Sequence, residues 1–598
     1  MKIKAILDFL FPKSLWTKRF TIMWTASFIL IICFDVLWSL QTTFRSMSFI
    51  QTYLFAGLLA TLISIPTAIS PKKFWIQTIL MAFLAGIFES NLMYFRTYFS
   101  AIPASSYLLI GNLADFKASV YDSIRVGDVC LLLPIVIGSI LTYKMEIQDI
   151  CRKAFSYTFL SLVSLSAIST LPYGGMLSHI NYLTEQCYYI NTPIVIYTPF
   201  GKIASDISQQ QEPLSEKDYQ DVLSFYESHK AKQHFITDSI KVPDNVIVVF
   251  LESFESWVIN SQLDGIELTP TLNALLREPN TLFIPHVATQ VGTGRSIDAQ
   301  LLMLSGLYPM QNEVYSMRYH GNTYYTLPQA LKHRDNKLKT YLLTGDKSHV
   351  WNQSLVARAF DIDTILDSKN WNITEKIGNP PKLSDNALFA QTVDKMKSGE
   401  IWAKGTNAYI HIVAYSTHNP FVIPKEYKIH SFNHYYGKLG DYASAVNYTD
   451  NALSQLIRYL KTRDDYDKTM VVIAGDHEGV EMYRKEMINA WPGVVDSRQF
   501  TPLIILNSPV SGKFDEIIGQ VDVYSTLVDL LALKDTKWKG LGYSAFDESH
   551  PHAAINALGE YVTNIEMLDS VKTELKRAQK VSNNIIKYDL MNNVIGDK

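Results

Sequence analysis

The chain has 598 residues, 47% hydrophobic and 12% aromatic, with a formal net charge of −3. That length exceeds one ordinary domain, and the near-zero charge removes the electrostatic basis for nucleic-acid binding. The cysteines are Cys33, Cys130, Cys151 and Cys187, so any metal bound after position 187 needs oxygen and imidazole ligands rather than thiolates.

Five apolar segments come first, at about 20–40, 49–70, 74–95, 126–145 and 154–173. Each approximates the roughly twenty residues that cross a hydrocarbon core. They predict a five-span α-helical membrane domain over 1–175. Lys2, Lys4, Lys13, Lys18 and Arg19 precede the first span, Lys72 and Lys73 lie between the second and third, and Lys144, Arg152 and Lys153 between the fourth and fifth. This bias puts the N-terminus inside, and five crossings then put everything beyond about 174 outside the cytoplasm. Asp35 and Glu89, in or near spans, read as polar helix–helix contacts, with a headgroup or ion role as the alternative. The half-apolar stretch "FRTYFSAIPASSYLLIGNLADF" (95–116) reads as an interfacial segment. The polar "SDISQQQEPLSEKDYQ" (205–220) reads as a connector within a linker, 176–240, that holds interfacial and helical segments.

From 241 to 598 the pattern is that of an α/β domain. Strands are predicted at 245–251, 340–344, 408–414, 470–474 and 502–506, and helices at 270–277, 325–333, 384–397, 440–461 and 522–533. Continuously apolar strands separated by helices imply a parallel sheet covered on both faces, with sites beyond the carboxyl ends of its strands. Four strands are followed there by polar groups: Glu252, then Gly345-Asp346, then "YSTHNPF" with His418, then "GDHE" with Asp476 and His477. Two carboxylates and one imidazole suit a divalent ion such as manganese, magnesium or zinc. The loop Gly292-Thr293-Gly294-Arg295-Ser296 runs into an apolar, helix-patterned stretch. Ser296 there either caps the helix or serves as fourth ligand and nucleophile, since a helix N-terminus favours an alkoxide or a phosphate. His550 and His552 read as an exposed loop, and "SVKTELKRAQKVSNNIIKYDLM" as a solvated helix packing one apolar stripe on the domain.

The stretches "NVIVVFLESFESWVIN", "GTGRSIDAQLLMLSGLYP", "YSTHNPF" and "IAGDHEG" resemble lipoteichoic acid synthases and related membrane phosphoglycerol transferases, of the sulfatase branch of the alkaline phosphatase superfamily. "QVDVYSTLVDLLAL" (520–533) also resembles a helix of sulfatase-like folds. The resemblance implies an extracytoplasmic sulfatase-like (alkaline phosphatase-type) α/β domain with a mostly parallel sheet, joined to a multi-pass anchor in a bacterial cell membrane. It implies one divalent metal, usually manganese, on Glu252, Ser296, Asp476 and His477. The nucleophile would be Ser296, where the best-known members have threonine. Thr293 ranks second, because Asp298-Ala299 follows Ser296 at the family's spacing. His418 matches a histidine that contacts the substrate phosphate, and Asp346, Trp351 and Asn352 fall where the family shapes its glycerol-phosphate pocket.

The sequence departs from that pattern at Gln353, where an arginine is common, and at Thr344, where a histidine is common. Arg295 and Lys347 are the nearby charges that would compensate. The implied reaction is two-step. The Ser296 alkoxide attacks the headgroup phosphorus of a phospholipid such as phosphatidylglycerol, diacylglycerol leaves, and an envelope glycan or lipid acceptor resolves a phospho-serine intermediate. Two other readings stand beside it: a phosphoethanolamine transferase acting on lipid A or an envelope glycan, and a catalytically inactive headgroup- or glycan-binding envelope protein. The soluble domains of the former commonly carry disulfides, which the absence of cysteine after 187 denies to this one. A formylglycine sulfatase fits poorly, because Ser296 is followed by Ile-Asp-Ala-Gln rather than the required C/S-x-P-x-R pattern.

Overall fold

The computed structural model describes residues 18–41, 49–98, 102, 123–145, 152–175, 178–179, 213–235 and 242–596, apart from short stretches in the last range. Almost all of the expected interfacial segment, and the connector up to 212, lie outside the described residues. The chain divides into two compact units that adjoin in sequence at Pro213 and Leu214.

The first unit is helical: α1 (Lys18–Gln41), α2 (Ile50–Ile63), α3 (Ile65–Ile69), α4 (Phe74–Tyr98), α5 (Leu133–Tyr143) and α6 (Arg152–Thr170). Among the described residues, four stretches are long and apolar enough to cross a membrane: Arg19–Gln41, Pro71–Arg96, Val126–Tyr143 and Phe155–Tyr173. The segment expected as one span over 49–70 is instead two helices, α2 of 14 residues and α3 of 5. The break has a local cause. Pro66 has no N–H to donate, and the Ser64 hydroxyl donates back to Ala60 O at 2.7 Å. Two polar groups inside the unit are well satisfied. The Gln77 amide donates to Met23 O, Ser27 Oγ and Ser64 Oγ at 3.0, 3.1 and 2.9 Å. Arg96 grips Asp128 through two bonds of 2.8 and 2.6 Å and donates to Gln41 Oε1 at 2.7 Å. Asp35 is fully buried and Glu89 half-buried.

The second unit is built on a nine-stranded sheet. Its strands are β1 (Asn245–Leu251), β2 (Leu282–Ala288), β3 (Lys339–Thr344), β4 (Thr364–Leu366), β5 (Ala408–Val413), β6 (Thr469–Gly475), β7 (Phe500–Leu506), β8 (Gly512–Lys513) and β9 (Ile518–Gly519). In space the order is β8-β2-β7-β6-β1-β5-β3-β4, with β9 also on β2. Only β7 runs against the rest, antiparallel to both β6 and β2. The strand expected at 502–506 is therefore present but reversed, a direction its uniform apolarity could not reveal. Strand β2 was not foreseen, because Pro285 and His286 interrupt "LFIPHVA".

Both faces of the sheet are covered. Along β1, Val246, Val248 and Phe250 join one apolar core, and Ile247, Val249 and Leu251 join the other. This is the alternation of a strand buried on both sides. The predicted helices occur with ends shifted by a few residues, as Pro270–Leu275, Leu327–Arg334, Asp385–Ser398, Lys438–Leu460 and Gln520–Leu530.

Two surface expectations change. The helix α7 (Glu216–Lys232), which the sequence places in the linker, belongs to the second unit. Tyr226 Oη donates to Lys537 O at 3.0 Å, and the ring stacks on Trp538. His550 is not exposed: it is 4% accessible, with Nε2 3.1 Å from Asp522 Oδ2. The C-terminal helix α8 (Asp569–Lys587) is as expected, burying Ala578, Val581, Ile585 and Ile586.

Candidate active site

Parallel pairing in register creates the site. β1 and β6 pair through Leu251 and Gly475, so the next residues, Glu252 and Asp476, emerge side by side at the carboxyl edge. A tight crossing holds them there: a Cβ on Gly475 would lie 2.1 Å from Phe254 O, so no larger residue fits. Asp476 Oδ1 accepts two backbone N–H groups, from Ser253 and His477, both at 2.7 Å. Its other oxygen, Oδ2, is buried and has no hydrogen-bond partner. Ser253, at φ 52°, donates its hydroxyl to Glu252 Oε1 at 2.7 Å. The ligand-capable atoms of Glu252, Asp476 and His477 all lie within 4.8 Å of one another.

Ser296 completes the group from β2, whose carboxyl end opens at the same edge. The loop after β2 wraps the Asp298 carboxylate, which accepts Gly292 N at 3.0 Å and Gly294 N at 2.9 Å. A Cβ on Gly294 would meet Asp298 Oδ1 at 2.3 Å, so glycine is required. Arg295, at φ 50°, then occupies the N-cap position of the helix Ser296–Ser305. Ser296 is thus the first helical residue and not the cap, and its hydroxyl is directed elsewhere: Oγ lies 3.1 Å from Glu252 Oε2 and 3.2 Å from His477 Nε2. Thr293 is buried, and its hydroxyl has no hydrogen-bond partner.

The electrostatics are those of carboxylates brought together without a paired cationic side chain of their own. Burial, then the neighbouring Glu252 charge, pushes the Asp476 carboxyl well above its ordinary range. Burial, then Arg295, lowers His477 to about 4, so the imidazole is neutral at physiological pH. Its Nδ1 lies 2.8 Å from Glu478 O and 3.0 Å from the Arg295 guanidinium, and its Nε2 is turned to Ser296. Two buried carboxylates, an orphaned oxygen and a neutral imidazole fit a divalent cation.

The remaining expected residues fall in two groups. His418 follows β5 close enough for its charge to act on Glu252, and its ring stacks on Tyr415 at 4.9 Å. Asp346 follows β3 and pairs with Lys382 at 2.5 Å. Trp351 and Asn352 stand at a kink with φ 53° and 52°. Trp351 packs on the larger apolar core, and the Asn352 amide donates to Ser316 O at 3.1 Å. Gln353 forms a reciprocal amide pair with Gln300, at 2.9 and 3.0 Å, one turn beyond Ser296 on its helix. Arg295, expected toward the substrate, directs its guanidinium to Glu478 and the back of His477, because buried Glu478 needs a counter-charge.

The sequence reading missed Ser253, Tyr415 and Lys382. Tyr415 sits in the same "YSTHNPF" stretch as His418 and was within reach, whereas Lys382 in "GNPPKLSD" carries no local signal.

Residues 244–533 match the sulfatase family model. The second unit is a sulfatase-family domain. With that domain the chain is 26% identical to "Lipoteichoic acid synthase" of Staphylococcus aureus (strain USA300) over 520 residues, covering 82% of this chain and 78% of that protein. Among solved structures, the domain's fold matches the lipoteichoic acid synthase LtaP from Listeria monocytogenes. That match has a TM-score of 0.50 and 21% identity, covering 62% of this chain and 98% of the other.

Proposed function

We propose that this protein is a membrane phosphotransferase that moves glycerol phosphate from a phosphatidylglycerol-like lipid to an envelope glycan or lipid acceptor, through a covalent intermediate on Ser296. The observation that carries the reading is the Ser296 hydroxyl held between Glu252 Oε2 and His477 Nε2, beside the unpartnered Asp476 Oδ2. The likeness to lipoteichoic acid synthase supports the choice of headgroup.

Glu252, Ser296, Asp476 and His477 would hold one divalent cation; three oxygen donors and one nitrogen suit manganese, magnesium or zinc, and manganese is the choice the family resemblance implies. When bound, that ion supplies Lewis acidity, which eases loss of the serine proton and offsets charge on phosphoryl oxygens.

The chain's own residues do the rest. With its proton given up to solvent, Ser296 Oγ attacks the headgroup phosphorus, the bond from phosphorus to the diacylglycerol oxygen breaks, and that oxygen takes a proton from His418. A glycerophospho-serine remains. The acceptor hydroxyl then attacks phosphorus, its proton returns to the imidazole, and Ser296 Oγ is released. The N-terminal N–H groups of the Ser296–Ser305 helix favour negative charge at this point. The apolar helices of the first unit would confine the domain to the membrane that holds the donor lipid, with the catalytic face outside the cytoplasm.

The test is to incubate full-length protein with labelled phosphatidylglycerol and manganese. Diacylglycerol release by wild type and none by Ser296→Ala supports the reading. Equal release by both removes Ser296 as nucleophile, and loss in Thr293→Ala alone moves the assignment to Thr293.

A further inference from the structure

Asp346 is the carboxylate that β3 delivers near Tyr415, whose ring stacks on His418, and it is still 24% accessible. Both of its oxygens are already engaged. Oδ1 accepts Lys347 N at 2.8 Å, and Oδ2 accepts Lys382 Nζ at 2.5 Å. Lys382 comes from a separate element, the short hairpin Lys376–Ile377 with Lys382–Leu383. That hairpin is seated on the turn after β3: a Cβ on Gly345 would lie 3.3 Å from Leu383 Cβ. Lys382 is only 7% accessible, and its ammonium also lies 4.3 Å from the centre of the Tyr415 ring. A lysine enclosed by a carboxylate and a ring face is a fixed charge rather than a solvated one.

The other carboxylates nearby are committed: Asp385 is fully buried and accepts Tyr415 N, and Asp367 accepts Ser348 N and Lys369 N. Glu252 and Asp476 belong to the ion site, and Glu478 is paired with Arg295. The Gln353–Gln300 pair on the Ser296 helix is neutral.

We propose that Lys382 sets the headgroup specificity of the site by occupying Asp346. This rests on the reading of Ser296 as the nucleophile of a headgroup transferase. A headgroup ending in an ammonium needs an unpaired carboxylate to receive it, and Asp346 already holds one ammonium. A neutral polyol headgroup needs only lone pairs, which a carboxylate bonded on each oxygen still offers. Lys382 therefore selects against aminoalkyl headgroups by denying them a counter-ion, a repulsive device as much as an attractive one. Lys382 acts through Asp346 and is a positioning residue, not a catalytic one.

The test uses full-length protein, manganese, and vesicles holding equal phosphatidylglycerol and phosphatidylethanolamine, and reads the ratio of the two headgroups removed. Wild type is expected to prefer glycerol. Lys382→Met, or Lys382→Gln should the first fail to fold, is expected to lower that ratio by at least about tenfold, while Lys382→Arg keeps it. A loss of total rate with the ratio unchanged would overturn the proposal and leave the Ser296 chemistry standing. So would a wild-type preference for ethanolamine. If wild type removes neither headgroup, the transfer reading fails. Equilibrium binding of glycerol phosphate against phosphoethanolamine then decides the specificity claim: a preference for glycerol phosphate that Lys382→Met abolishes supports it, and equal binding overturns it.

Discussion

Two carboxylates three residues apart, Glu252 and Glu255, leave the same strand and are equally buried, yet they are treated in opposite ways. Glu255 is met by a guanidinium and two further donors. Arg484 pairs with it through bonds of 2.7 and 3.1 Å, Trp257 Nε1 donates at 2.8 Å, and Gly479 N at 3.2 Å. Glu252 accepts the hydroxyls of Ser253 and Ser296 but faces a second carboxylate and a neutral imidazole, and Asp476 beside it has an oxygen without a hydrogen-bond partner. Where the chain supplies its own guanidinium, the cluster is structural and locks the Gly479 loop to β1. Where the nearest guanidinium, Arg295, is instead paired with Glu478, the two carboxylates are left with a donor set that would suit a cation. Sequence position does not distinguish the two, since both are acidic residues in "LESFES"; only the location of Arg484 does.

The contrast breaks most visibly at Ser296. Ser296→Ala should lower turnover by about a thousandfold or more, as loss of a covalent nucleophile does, with the thermal melt unchanged. A smaller loss would reduce the hydroxyl to a bystander. Arg484→Met should then show the structural side. Leaving Glu255 buried without its partner costs about 3–5 kcal/mol, read as a lowered midpoint in denaturant melts, while the folded fraction still binds manganese.

The functional side responds in the other direction. Saturating manganese should stabilise wild type by about 2.7 kcal/mol at a hundredfold excess over Kd, and Asp476→Asn should abolish that gain without the large loss seen for Arg484→Met. An equal manganese gain in both variants would mean that the ion binds elsewhere. The smallest effect concerns a pair remote from both clusters. Glu574 is held down to about 2 by His229, Lys232 and Tyr543. A carboxyl depressed in the folded state stabilises above its unfolded value of 4.5 and loses that contribution as pH falls toward 2. Acid melts of Glu574→Gln should therefore fall less steeply over that window than wild type. Parallel curves would show that the α7–α8 contact carries no titrating charge.

Most of the site was legible because parallel strands announce themselves. An uninterrupted apolar run ends, and the next residue lies on the candidate site's edge, as with Glu252 and Asp476. Ser296 was legible through its glycine-flanked loop, although the reason for the glycines, the wrapped Asp298, was not. What escaped was long-range pairing. Lys382 meets Asp346 across 36 positions, and Arg484 meets Glu255 across 229. Neither partner is implied by local pattern. The reversal of β7 escaped for a related reason, since direction is set by connections and not by composition. The split of the 49–70 segment at Pro66 was readable in principle, because proline inside an apolar helix marks a break.

The most direct test of the account is peptide mass spectrometry of the full-length protein quenched in acid during turnover of phosphatidylglycerol with manganese. The account predicts a glycerol phosphate adduct on the peptide holding Ser296, absent when manganese is omitted and absent in Asp476→Asn. Diacylglycerol release with the adduct on Thr293, or with no adduct on the chain, would contradict it.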